Sequence, residues 1–366
     1  MPTRRALVVG TGIAGLATTL RLRRSDWEIV LAGRTAGSRD QGFPHAFRGV
    51  GYNAAARLGL LQALVEHSQP RCDTLVVDAT GAPFALCPKP SGVTPVLRRA
   101  DVATVLREAI GDVEVCEQAE VLSLVEDDCG VTVTFPDGDE DWFDLVVGAD
   151  GDDSAVRCAA FGEDHEHRQV TVSVSSRLKT TTNAAVWMEL AERTVRVHPL
   201  RGGGSAALFA WRGDVSLPVQ EVFGDLAWLG PEFLSQVDGG PTARRTSFQV
   251  HAHRWVSKQI ALVGDAAWCA GRPCDEDASL AIGGAELLGD ALDIFTDTAE
   301  ALAWWEQQMR PVVRHVRRQN TALRGPDVIY PPSSLRPFET HAVHSGQLSA
   351  AQVVARPGEQ PLEDCP

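Results

Sequence analysis

Three glycines near the start of the chain carry the first chemical signal. Residues 8–17 read Val-Val-Gly-Thr-Gly-Ile-Ala-Gly-Leu-Ala, which sets Gly10, Gly12 and Gly15 at G-x-G-x-x-G spacing. Such a loop suits a dinucleotide. The first glycine allows a tight turn, the second lets backbone N–H groups approach a pyrophosphate, and the third lets helix and strand pack closely. Ile13 and Ala14 then form the helix start on which the phosphates rest. Two later loops place carboxylates after apolar runs: Gly148-Ala149-Asp150-Gly151 and Gly264-Asp265-Ala266-Ala267. At strand ends, Asp150 and Asp265 can accept hydrogen bonds from sugar hydroxyls, or cap the turn that follows. Arg99 can meet a phosphate or an acidic neighbour.

Other residues suit proton transfer or ligand contact. His45 and His198 are candidate general acids or bases, and Asp275 and Asp277 are acid–base candidates in an acidic turn. Trp187, Phe209, Trp211 and Trp228 form a candidate pocket for an apolar ligand, or ordinary core. The pairs His165/His167 and His251/His253 lack a third ligand at a recognisable spacing, so no metal site is expected. The eight cysteines include no C-x-x-C pair, which leaves free thiols as the expectation; Cys269 and Cys274 are the nearest to one another.

The elements that must position these residues alternate in type. An apolar strand over residues 6–9, a helix over 18–24 and a strand over 28–31 give the glycine loop its strand–helix–strand setting. A helix over 51–66, strands over 73–77 and 83–86, and a helix over 101–110 follow. Short strands are expected over 114–116, 120–126, 131–135 and 144–147. From 171 to 250 strand alternation dominates and reads as an antiparallel sheet. A strand over 260–263 and helices over 279–295 and 299–320 restore the mixed strand–helix pattern of the opening. Beyond 324 the chain is rich in Pro, Ser and Glu.

With 366 residues and a formal net charge of −14, the chain has no basic cluster suited to nucleic acid. No apolar run reaches the length of a membrane span. Arg4-Arg5 precede an apolar stretch, but that stretch runs on into the strand–helix–strand pattern. A signal peptide is therefore not expected, and a cytoplasmic location is.

Five separated motifs, in order, resemble the single-component FAD-dependent monooxygenases of the aromatic-hydroxylase type. They are the Gly10/Gly12/Gly15 loop; Gly49-Val50-Gly51-Tyr52 with Arg57-Leu58-Gly59-Leu60-Leu61; Arg99-Ala100-Asp101-Val102; residues 144–151 with Ser154 and Arg157; and residues 261–267. Trp305-Glu306 with Arg310-Pro311 resembles the family's late helix. The resemblance implies an α/β fold, a Rossmann-like FAD-binding domain with an inserted antiparallel-sheet substrate domain. The FAD domain would comprise 1–70, 96–165 and 255–325, the substrate domain 71–95 and 166–254, and a tail 326–366. It also implies FAD and NAD(P)H as cofactors, with Gly10, Gly12, Ile13, Ala14, Gly15, Arg34, Arg99, Asp150, Gly151, Gly264 and Asp265 at the cofactor, and a small hydrophobic substrate.

Two departures from the family pattern fall on cofactor contacts. Gly33 stands where the second strand should end in a ribose-binding carboxylate; losing that acceptor costs on the order of 1.5–3 kcal/mol. Arg34, next in line, can meet a phosphate instead. In the acidic turn, Asp275 and Asp277 occupy the positions of the family's G-x-G. A carboxylate about 4 Å from the negative edge of a reduced flavin would repel it by roughly 4 kcal/mol at an effective dielectric of about 20. The sequence therefore supports a FAD-dependent monooxygenase. It leaves two alternatives: a non-redox cyclase or isomerase on the same scaffold with FAD structural or absent, and a non-catalytic ligand-binding protein.

Overall fold

A computed structural model describes residues 3–33, 42–89, 92–113, 115–116, 121–162, 165–179, 182–190, 192–214, 216–239, 242–269, 276–322 and 336–337. Strand β1 (Arg5–Val9), helix α1 (Ile13–Arg23) and strand β2 (Glu28–Ala32) form the opening unit. The short strand β3 (His45–Ala46) follows, then α2 (Val50–Arg57) and α3 (Leu61–Glu66). The single helix expected over 51–66 is thus two, because the chain turns at Gly59 with φ of +64°, a conformation that ends a helix. Next come β4 (Thr74–Val77), β5 (Pro83–Cys87), β6 (Val96–Leu97) and α4 (Arg99–Ile110). Strands β7 (Val115–Cys116), β8 (Ser123–Glu126), β9 (Val131–Thr134), β10 (Glu140–Phe143) and β11 (Leu145–Gly148) lead into α5 (Ala155–Phe161).

The second half begins with β12 (His165–Leu178), β13 (Ala185–Glu189), β14 (Arg193–Pro199) and β15 (Ser205–Trp211). Two helices that the strand alternation does not announce come next: α6 (Val219–Phe223) and α7 (Pro231–Gly239). Then follow β16 (Thr242–Ala252), β17 (Ile260–Leu262), α8 (Asp265–Trp268), α9 (Asp277–Ile294), α10 (Thr298–Ala322) and β18 (Arg336–Pro337).

A five-stranded parallel sheet runs in the order β17-β11-β1-β2-β7. Its strands are continuous apolar runs: Ala6, Leu7 and Val8 of β1 and Leu145, Val146 and Val147 of β11 are fully buried, as befits a sheet covered on both faces. Helices α1, α4 and α9 pack together around it. The strand order reverses between β1 and β11, the crevice where open α/β sheets take ligands. An eight-stranded sheet, β16-β12-β15-β14-β13-β4-β5-β18, forms the second layer and is largely antiparallel, with one parallel pair between β13 and β4. Strands β8, β9 and β10 form a small third sheet.

Candidate functional site

The loop between β1 and α1 is built by close backbone approaches. Gly10 has φ of +121°, and a Cβ there would lie 2.2 Å from the Ala149 carbonyl oxygen. A Cβ on Gly15 would lie 1.8 Å from the Gly10 carbonyl oxygen, and one on Gly264 2.7 Å from Ala14 Cβ. The ends of β1, β11 and β17 therefore converge on the start of α1. Gly12 differs from the other three. Its φ of −76° suits any residue, and among the described residues a Cβ there would meet nothing within 4 Å. No side chain caps α1, and its first turn holds no acidic residue, while Arg21 and Arg23 occupy its last turn. The orphan N–H groups at Ile13, Ala14 and Gly15 give this end a partial positive charge beside open space, the conditions an anion requires. These residues fit a pyrophosphate.

The carboxylates divide into two kinds. Asp150 is committed to its own loop: Ser154 Oγ donates to one oxygen at 2.5 Å and the Val156 N–H to the other at 3.1 Å. Burial pushes its carboxyl above the usual range, against those two bonds. Gly151 beside it turns with φ of +94°. Asp265, by contrast, opens the short helix α8, and Arg99 Nη2 stands 3.8 Å from its Oδ2. Asp101 explains the spacing of the Arg99 motif. Its carboxylate accepts from the Arg98 backbone N–H and side chain and from Gln69, capping α4 so that Arg99 is left for Asp265. At the end of β2, Gly33 has φ of +148° and donates its N–H to the Cys116 carbonyl. Arg34 and Asp275 lie outside the described residues. Asp277 is the first residue of α9, with its Oδ2 4.0 Å from Arg99 Nη1.

The two candidate histidines come from opposite halves of the chain and meet around Phe43. The ring of Phe43 is 5.5 Å from that of His45 and 6.2 Å, edge-on, from that of His198. His198 is buried, and its Nε2 lies 2.9 Å from the Pro70 carbonyl oxygen, so Nε2 carries the proton in that bond. Burial pushes the imidazole down to about 4, and His45 adds to the effect.

Three of the four aromatic pocket candidates require correction. Phe209, Trp211 and Trp228 are at most 5% exposed and pack with Phe223, Phe233, Val195 and Val197 in the core between the large sheet and α6–α7. Neighbours along a strand point to opposite faces. Ala206 and Leu208 take the other face, where they pack with Phe43 and Leu200. His198 shares that face, across β14 from Ala206. Trp187 lies outside the aromatic core, half-buried, with Arg196 stacked 4.0 Å over its ring.

Several contributors carry no clear signal in the sequence. Phe43 joins the segment before β3 to the large sheet, and only the structure places it there. Ser279 accepts from the Gly51 N–H at 2.9 Å and donates to the Arg48 carbonyl, fixing the start of α9. Gly51 is its visible counterpart, since a Cβ there would lie 2.4 Å from Ser279 Cα. Arg157, by contrast, belongs to the fourth sequence motif; 1% exposed, it donates to the carbonyls of Asp152 and Ala266. Among the described residues, no group of three or more His, Cys, Asp or Glu side chains can hold a metal, and no helix is long and apolar enough to cross a membrane.

Fold and site together define a dinucleotide-binding flavoprotein of the aromatic-hydroxylase type. Residues 3–214 match the family model described as FAD binding domain, and the chain belongs to that family, within the single-component FAD-dependent monooxygenases. FAD is its cofactor. The chain is 25% identical over 337 residues to a flavin-dependent monooxygenase from an unknown prokaryotic organism, covering 85% of this chain and 87% of that protein. Among solved structures it resembles tetracycline destructase Tet(55), with a TM-score of 0.77, 22% identity and 94% of each chain covered. It also resembles HpxO of Klebsiella pneumoniae complexed with FAD and uric acid, with a TM-score of 0.75, 20% identity, and 89% of this chain and 90% of that chain covered.

Proposed function

We propose that this chain is a monooxygenase that uses NAD(P)H as reductant and oxidises a small hydrophobic substrate of the secondary-metabolite kind. The observation that carries the reading is Gly12, a glycine that the protein's own packing does not demand, at an uncapped helix end facing open space. Bound FAD supplies the activation of molecular oxygen. The chain's residues do the rest. The first N–H groups of α1 hold the phosphates, Arg99 adds a positive charge beside them, and Asp265 accepts from cofactor hydroxyls. The sheet face bearing Ala206, Leu208 and His198, with Phe43 against it, excludes water from the substrate side. His198 keeps its Nε2 proton on the Pro70 carbonyl at neutral pH, and His45, on the other side of Phe43, is the general-base candidate for an ionisable substrate hydroxyl. The neighbour named a tetracycline destructase and a relative named FAD-dependent monooxygenase asL6, from Sarocladium schorii, support a substrate of this class.

The test is a spectrum followed by turnover. Purified protein supplied with FAD should show flavin absorbance bands, and a panel of phenolic and polycyclic hydrophobic compounds should contain one that stimulates NAD(P)H oxidation and oxygen uptake. Conversion of such a compound by flavin-free protein without oxygen would overturn the reading in favour of a cyclase or isomerase.

A further inference from the structure

Arg99 stands between two carboxylates drawn from different parts of the chain. Its Nη2 is 3.8 Å from Asp265 Oδ2 and its Nη1 is 4.0 Å from Asp277 Oδ2. Both separations exceed hydrogen-bond length, so the guanidinium is shared across gaps rather than locked in a two-pronged bridge. Its side chain is 38% exposed, whereas each carboxylate is 15% exposed, so the cation is the member of the trio most open to an incoming anion.

Asp277 is held in place. Two residues along α9, Ser279 is bonded to Gly51 and Arg48, and Gly51 allows no space between the two segments. The backbone that carries this carboxylate is therefore fixed beside Arg99 when an anion arrives. A cofactor phosphate must win the guanidinium from a partner already inside the protein.

We propose that Asp277 is an internal counter-ion of Arg99 that competes with the cofactor phosphates, so that this residue sets FAD affinity and keeps the cofactor exchangeable. The inference rests on the reading of Arg99 and α1 as the FAD phosphate site. Asp277 acts through Arg99: the guanidinium turns from the carboxylate to the phosphate when FAD binds, and turns back when it leaves. Asp277 is thus a positioning residue, and no reacting atom touches it.

Titration of flavin-stripped protein with FAD, read by flavin fluorescence, tests this with four variants. Asp277→Asn and Asp277→Ser should each tighten the FAD Kd by about tenfold, and Arg99→Gln should weaken it by about tenfold. Asp277→Glu, which keeps the charge, should stay near wild type. The decisive case is Asp277→Asn combined with Arg99→Gln, whose Kd should match that of Arg99→Gln within about twofold. Melting temperatures identify any variant that has lost its fold, and the two neutral replacements guard against one failing. An unchanged or weaker Kd in both neutral variants overturns the proposal. So does equal tightening in the Arg99→Gln background, which would mean direct repulsion between Asp277 and the cofactor. Wild-type protein that binds no FAD would instead overturn the assignment of the phosphate site, and this proposal with it.

Discussion

Arg157 donates through Nη1 to the Ala266 carbonyl at 2.9 Å, and that bond ties the loop after β11 to the helix after β17. Through Nη2 the same guanidinium holds the Asp152 carbonyl at 2.8 Å. The fourth and fifth sequence motifs are thus one structural unit, fastened by a buried cation. Arg157→Ala would remove the donor from one buried and one part-buried carbonyl and leave a hole, and should cost about 2–4 kcal/mol in denaturant unfolding. Arg157→Lys, which lacks the planar fork, should recover only part of that loss. A melting curve matching wild type for Arg157→Ala would contradict this role.

His198 makes stability depend on pH in a defined window. Its folded-state value near 4 lies below the ordinary 6.5, so the unfolded chain takes up the proton first as pH falls. Stability is complete above 6.5, declines between 6.5 and 4, and levels off below. The loss from this group amounts to about 3 kcal/mol. His198→Gln should remove that component of the decline. Unfolding curves taken across the interval check it; an identical slope in the variant would refute it.

The packed face of β15 should respond differently to truncation from Trp187, which lies on the interior strand β13 but outside the aromatic core. Phe209→Ala opens a hole in the core beneath α6 and α7 and should cost about 3–5 kcal/mol. Trp187→Ala, half-buried and stacked on Arg196, should cost about 1 kcal/mol or less and change the KM for substrate instead. Denaturant unfolding paired with steady-state kinetics separates the two effects. Equal destabilisation would mean that Trp187 is core after all.

The parts of the molecule legible in the sequence are those specified locally. The glycine spacing, the apolar runs of β1 and β11 and the long helix α9 each follow from neighbours a few residues apart, and the parallel sheet follows from them. The break at Gly59 escapes a pattern-based reading because α2 and α3 continue one apolar pattern across it. Helices α6 and α7 are hidden among aromatic residues that read as strand. Phe209 and Trp211 prove to be core for a physical reason: a strand offers two faces, and bulky side chains mark whichever is packed, which here is the face under α6 and α7. Local chemistry also decides Asp150, whose carboxylate goes to Ser154 and Val156 four and six residues on. The pairing of Arg99 with Asp277 depends on how α4 and α9 meet in space, which no local pattern encodes.

The claim on which all else depends is that the open space at Gly12 is shaped by a cofactor phosphate. Gly12→Ala isolates it, because the added methyl meets no atom of the described residues within 4 Å and the backbone there suits alanine. Gly15→Ala is the contrast, since its methyl would fall on the Gly10 carbonyl and the protein should fail to fold. A FAD titration of Gly12→Ala, taken with its melting temperature, is the most direct measurement. The expected result is wild-type stability with FAD affinity weakened by about tenfold or more. Wild-type affinity in a stable Gly12→Ala protein would contradict the account.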